Sequence, residues 1–231
     1  MKVSDVISRA RYLLNDTDPS LRRWDDGELV LWCDDAQRAV AVARPDSSPS
    51  QRVVDLAAGS KQSTPADCFL LMDVIRNVAS DGVTPGRAVR AIDREAIDQF
   101  DPSWHTGTPK TEVRHFIYDD RNPTVFFVYP PAAAGTKVEI LLSQRPASIT
   151  DINGDITLAD QYVDAILDWV MYRAYGKDTE FTSNPAMQAA YLQAFSAKLG
   201  VKLSKDNAYS PNVNRAGAKP NSASASLGGV V

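Results

Sequence analysis

The run Thr157–Gly176, TLADQYVDAILDWVMYRAYG, decides how the rest of the chain is read, because its side chains suit neither a surface nor a loop. Val163, Ile166, Leu167, Val170 and Ala174 recur at helical spacing, and Tyr162, Trp169 and Tyr172 widen the apolar face. Asp160, Asp164, Asp168 and Arg173 are the polar residues left. Thr157 and Asp160, three places apart, predict a capping box at the start, and Gly176 predicts a left-handed stop. A helix apolar on so much of its circumference needs partners on most sides, so the run predicts a helix buried among others.

Working outward, the sequence supplies those partners at both ends. Val3, Val6, Ile7, Ala10, Leu13 and Leu14 form an amphipathic helix that stops at the turn-formers Asn15–Pro19. Asp25 predicts the N-cap of a second helix, with Glu28 as its capping-box partner and Trp24 stapled against Leu29. Its buried stripe is Leu29, Trp32, Cys33, Ala36, Val40 and Ala43, and Pro45 ends it. Beyond the central run, Asn184 and Pro185 open a fourth helix with the stripe Met187, Ala190, Tyr191, Ala194, Phe195 and Leu199, closed by Gly200.

Between residues 51 and 145 the pattern changes to short apolar runs broken by Gly, Pro and Asp, which predicts strands. Val53–Leu56, Phe69–Val78 and Ala88–Ile92 are three of them, followed by a short helix over Asp93–Phe100 and a loop through Trp104, Gly107 and Pro109. Glu112–Tyr118, Thr124–Tyr129 and Thr136–Leu142, joined by DDRNP and PPAAAG, predict an antiparallel meander. The expected fold is α+β, with terminal helices forming a small bundle and an inserted antiparallel β lobe. The expected units are a helical pair at 1–50, a β-rich lobe at 51–150, a second helical pair at 151–203 packing on the first, and an extended tail at 204–231. The tail is rich in Ser, Asn, Ala, Gly and Pro, a composition that buries too little surface to fold alone.

Of 231 residues 44% are hydrophobic, enough for a real core. No apolar run approaches the roughly 20 residues that cross a bilayer. The start, MKVSDVISRARYLL, is interrupted by Asp5, Arg9 and Arg11 where a signal peptide needs a continuous apolar centre, so a cytoplasmic product with no membrane partner is expected. Cys33 and Cys68 lie in apolar patterns without metal-ligand spacing and are expected as free core thiols. The net charge is -4, with four bases and one acid after Gly200, so the first 200 residues carry -7. An acidic body argues against a protein that grips nucleic acid through a basic surface.

The search for chemistry returns mostly exclusions. His105 sits in a Trp-His-Thr-Gly loop and His115 inside the alternating run EVRHFIY, neither beside a cysteine or carboxylate at ligand spacing. Asp151, Asn153 and Asp155 imitate the opening of a calcium loop, but Ile156 stands where the turn glycine is needed and Tyr162 where the bidentate glutamate is needed. Gly59-Ser60-Lys61 lacks the upstream glycine of a phosphate loop, and no G-x-S-x-G elbow occurs. No catalytic residue, metal or cofactor is therefore assigned. Asp160, Asp164 and Asp168 fall at i, i+4 spacing, where like charges repel by a few tenths of a kcal/mol per pair. They are either a solvated row or an acidic face turned to a lumen or a neighbouring subunit.

Four stretches taken together carry a resemblance: WDDGELVLWCDDAQRAV at 24–40, VYPPAAAGTKVEILLSQRP at 128–146, LADQYVDAILDWVMYRAYGKDTE at 158–180 and AAYLQAFSAKLG at 189–200. In order and spacing they resemble the head-to-tail adaptors, or connectors, of tailed bacteriophages, the group that includes the tail tubular A proteins. The resemblance covers about residues 3–200. It implies a structural virion protein and not an enzyme: a ring of 12 copies that docks beneath the portal, offers a platform to the tail nozzle or next tail protein, and lets DNA pass without specific binding. An acidic body suits a channel that must not retain phosphates. The helical lobe and the tail, through Tyr209, Asn212, Arg215 and Lys219, are expected to grip the portal, with β-lobe loops meeting the tail. Two alternatives stand: a stopper or tail-completion protein one layer lower, and a metal-dependent enzyme with a site built from Asp119, Asp120 and His105.

Overall fold

Helix α2 (Asp26–Ala43) starts where Asp25 places its carboxylate on the Gly27 amide at 2.9 Å, satisfying a donor that the first turn leaves free. Trp24 and Leu29 are both buried in the same core, as a staple requires. Glu28 does not close a capping box; it reaches across to pair with Lys177. The computed structural model describes residues 1–119, 121–178 and 184–209, with residues 201–209 described by backbone alone.

Helix α1 (Val3–Leu13) ends at Asn15, whose φ of 54° is the left-handed turn that a short polar side chain tolerates. The central helix, α4 (Val163–Lys177), packs on α1, on α2 and on α5 (Asn184–Tyr209). Ile166, Val170, Met171 and Ala174 have no exposed surface and meet Val6, Ala10, Cys33 and Ala36 in one core.

Four expectations about the helical part are corrected. The helix begins at Val163 rather than Thr157, preceded by one 3-10 turn at Asp160–Tyr162. The capping box does not form: Thr157 donates its hydroxyl to Gln37 Oε1 at 3.4 Å and Asp160 faces the N-terminal amine at 3.5 Å. Burial of Ile156, Leu158 and Tyr162 in the core fixes that stretch outside a helix. Gly176 lies inside α4 and is not a left-handed stop, and α5 runs through Gly200 to Tyr209. A Cβ on Gly176 would stand 2.5 Å from Gln188 Nε2, so this glycine is small because α5 passes close by.

The β part is a sandwich of two four-stranded sheets. One sheet has the order β1 (Pro49–Asp55), β8 (Lys137–Gln144), β3 (Cys68–Val78), β4 (Pro85–Ala88); the other β2 (Gly59–Ser63), β7 (Val125–Ala132), β6 (His115–Tyr118), β5 (Arg90–Ala91). All pairings are antiparallel except β5 with β6. Helix α3 (Arg94–Phe100) and a 3-10 turn at Trp104–Thr106 follow β5. The inner faces meet through Val74, Val138, Ile140 and Leu142 on one sheet and Phe116, Phe126, Val128 and Ala132 on the other. Asn77 joins the layers from within. Its amide donates to the carbonyls of Arg87 (2.9 Å) and Val113 (2.7 Å), and its oxygen accepts the Val113 amide at 2.8 Å.

The expected meander is half right. β6 and β7 pair as a hairpin, but PPAAAG carries the chain to the other sheet, so β7 and β8 are not neighbours. β2 is a strand that hydropathy did not announce, because its inward residues are Ser60 and Gln62. Both are satisfied in place: Gln62 bonds the Ala57 amide and the carbonyls of Ala57 and Gly59 at 2.8–2.9 Å, and Ser60 bonds His105 at 2.9 Å.

The return from sandwich to helices is tied to α2. Gln37, fully buried, donates to Ala147 O at 2.6 Å and to Asp34 Oδ1 at 3.0 Å, and Asp34 accepts the Ile149 amide at 2.9 Å. The first residues then meet this segment. Val3 N bonds Gly154 O, Ile156 N bonds Met1 O, and Lys2 pairs with Asp155 at 2.9 Å. The Asp151–Asp155 turn is thus a bracket for the start of α1.

Candidate interaction surfaces

The acidic row divides. Asp160 and Asp164 are exposed, Asp160 in the 3-10 turn ahead of α4. Asp168 is buried beneath α5 and pairs with Lys198 at 2.5 Å, while the same ammonium approaches the Asp164 carbonyl at 3.3 Å. The three carboxylates therefore do not share one free face. Around the pair, Trp169 packs on Phe195 with ring centres 5.0 Å apart, and Tyr175 stacks on Tyr191 at 5.6 Å. Arg173 covers Trp169 from outside at 5.3 Å and bonds Asp35 at 3.3 Å.

The residues considered for chemistry are engaged locally. Asp119 holds Arg121 in a two-oxygen contact, chiefly through that hydrogen bond keeping its pKa below the ordinary value. His105 stacks on Trp104 at 3.6 Å and bonds Ser60; Asp120 lies outside the described residues. Among the described residues no group of three or more His, Cys, Asp or Glu side chains could hold a metal ion. Both cysteines are free and buried, and burial pushes the Cys33 thiol up to about 12.

Sequence reasoning missed a basic surface on the sandwich. Arg87, Ala88, Arg90, Arg114 and His115 line a hollow of about 230 Å³, and Arg114 is shared with a neighbouring hollow of about 400 Å³ that Lys110, Thr111, Glu112, Tyr129 and Pro130 complete. The residues come from three separate stretches of the chain, 87–90, 110–115 and 129–130, joined by the β5–β6 and β6–β7 pairings, so no local run of sequence announces them. His115 lies half-buried, its Nδ1 without a hydrogen-bond partner. Burial first, then the charges of Arg87, Arg90 and Arg114, hold its pKa below 6.5.

The most exposed large apolar side chains are Tyr12, Leu13 and Leu21 at and after the end of α1, Leu31 and Val42 on α2, and Val83 and Phe100 on the β part. No helix among the described residues is long and apolar enough to cross a membrane.

Helices from both ends of the chain pack on one another in one core, and the sandwich holds a second core of its own. The family model of the SU10 adaptor protein matches residues 1–215. The chain belongs to the SU10 adaptor family. This is a family of phage head-to-tail adaptors, and membership assigns the chain a structural connector role at the head–tail junction of the particle, in contact with portal and tail proteins. No curated protein matches it. Of the portal contacts expected in this adaptor, Tyr209 is the last residue of α5 and its side chain is not described, while Asn212, Arg215 and Lys219 lie outside the described residues.

Proposed function

We propose that this SU10-family adaptor forms a ring of 12 copies between the portal vertex and the tail, and that the exiting DNA runs through its centre. The observation that carries the reading is the family match from residue 1 to residue 215, which takes in both helical pairs and the sandwich. The helical lobe and the segment from Tyr209 onward, with Asn212, Arg215 and Lys219, grip the portal, and loops of the sandwich meet the next tail protein. The charge of the chain supports an open channel: at -4 it offers passing phosphates little net attraction. Of the acidic residues, Asp160 and Asp164 remain exposed and suit a lumenal or neighbour-facing position. The role requires no catalytic group.

Co-sedimentation of the full-length chain with portal rings of its own virus tests this reading. Saturation at one copy per portal subunit is the expected result. Binding to a pre-formed adaptor ring and none to bare portal would move the chain one layer down, to a stopper.

A further inference from the structure

We propose that the basic surface of Arg87, Arg90, Lys110 and Arg114 is the seat for a second copy of this chain, which docks through its acidic segment at residues 93–101. The inference rests on the ring reading and names the contact that joins neighbouring copies.

The seat concentrates charge against the character of the whole molecule. Four bases face one acid, Glu112, giving +3 in a chain of -4. Glu112 engages Arg87 at 3.3 Å. Among the described residues Arg90, Lys110 and Arg114 make no ion pair, although all three are exposed. These residues line two hollows that share Arg114. Guanidinium groups at a concave site are suited to two-point contact with carboxylates.

The same chain carries the complement. Residues 93–101, DREAIDQFD, hold four acids against one base, net -3. Arg94 pairs with Asp98, which also accepts the Trp104 indole N–H at 2.8 Å. Asp93 and Glu95 are exposed and form no ion pair among the described residues. Phe100 ends the helix 80% exposed, an aromatic anchor of the kind that dominates protein interfaces. Within one copy the acids of this segment and the four bases of the seat form no ion pair with each other. Where the seat of one copy takes the acidic segment of the next and the pattern repeats, the contact is head-to-tail, and such contacts close into rings where the rotation allows. A duplex is the weaker occupant, since Glu112 stands among the bases and the net charge of the chain repels phosphate.

Charges on edge strands also deter stray strand pairing, and β4 and β5 are edge strands. That role needs no acidic counterpart, which gives the test its form. Three full-length variants are compared with wild type: Arg90→Glu with Arg114→Glu, Asp93→Lys with Glu95→Lys, and all four together. Ring assembly on portal is read by mass, and self-association without portal by sedimentation at high concentration. Each two-site reversal should weaken both by about tenfold or more through like-charge contacts, and the four-site variant should regain them. The regain also shows that the substitutions leave the fold intact. Reversals that assemble like wild type overturn the inference, as does a four-site variant that regains nothing. Intact rings with lost DNA retention in a gel shift overturn it in favour of a nucleic-acid seat. Self-association that responds to the reversals, with no portal binding by wild type, overturns the portal reading and leaves the contact standing.

Discussion

Lys198 of α5 meets Asp168 of α4 at 2.5 Å, at the place where Trp169 and Phe195 close over the seam between the two helices. The ammonium is about half exposed while the carboxylate is buried, so the pair is anchored from one side. Lys198→Met should cost about 1–2 kcal/mol, less than a fully buried pair because water reaches the lysine. Asp168→Asn with Lys198→Met together should recover part of the loss. Urea unfolding of the single and double variants measures the coupling.

Gly176 separates two explanations of a helix glycine. If its service were a left-handed stop, alanine would be strained; the structure shows it helical and pressed by the end of the Gln188 side chain. Gly176→Ala should therefore stay within about 1 kcal/mol of wild type, the flexible amide giving way while helix propensity improves. Gly176→Leu should destabilise clearly, because α5 itself must move. Thermal melts of the two variants suffice.

Gln37 holds the strand-to-helix return against α2. Gln37→Leu leaves the Ala147 carbonyl and the Asp34 carboxylate short of a donor and should cost about 1–3 kcal/mol. Limited proteolysis should then cut near residues 145–150 faster than in wild type. Equal cutting would show that the helical and β parts are not joined through this anchor.

Acid sensitivity follows from the carboxylates that arginines hold. The Arg11 hydrogen bond, ahead of the charges of Arg11 and Arg22, lowers the Asp26 pKa; Arg52 does the same for Asp67. Because these folded values lie below the unfolded ones, the stability they contribute is present above about pH 4 and is lost as pH falls through the folded values. Asp26→Asn should flatten the fall in the urea midpoint on acidification, while leaving its pH dependence above neutrality unchanged.

Cys33 should be silent to thiol reagents in the native chain, because burial pushes its thiol up to about 12 and leaves almost no thiolate at neutral pH. Addition of denaturant should release it to react at the ordinary rate. Fast native labelling at Cys33 would show that the α2–α4 seam opens.

The parts legible in sequence were those where a local pattern and the tertiary structure agree. Asp25, Trp24 and Leu29 announce α2, since cap, staple and stripe all lie within one turn of each other. The start of α4 departs from the sequence pattern because Thr157 and Asp160 satisfy a local rule that the burial of Ile156, Leu158 and Tyr162 overrides. β2 was hidden by its inward serine and glutamine, whose hydrogen bonds cannot be seen in a hydropathy pattern. The β7–β8 link is not legible in sequence because a short loop between two strands reads alike whether it turns within a sheet or crosses to the next. The basic surface needed the strand pairing before its members met.

The bracket that ties Met1, Lys2 and Val3 to residues 154–156 has a consequence for how the molecule comes into being. A ribosome releases α1 and α2 long before α4 exists, and their apolar stripes must wait unpaired while the whole sandwich is made. The strands of the sandwich find their partners among themselves, whereas the helices at the front cannot reach their final seats until the return segment emerges. The helices made ahead of the sandwich are thus among the last parts to settle, because their partners in the core are made after it.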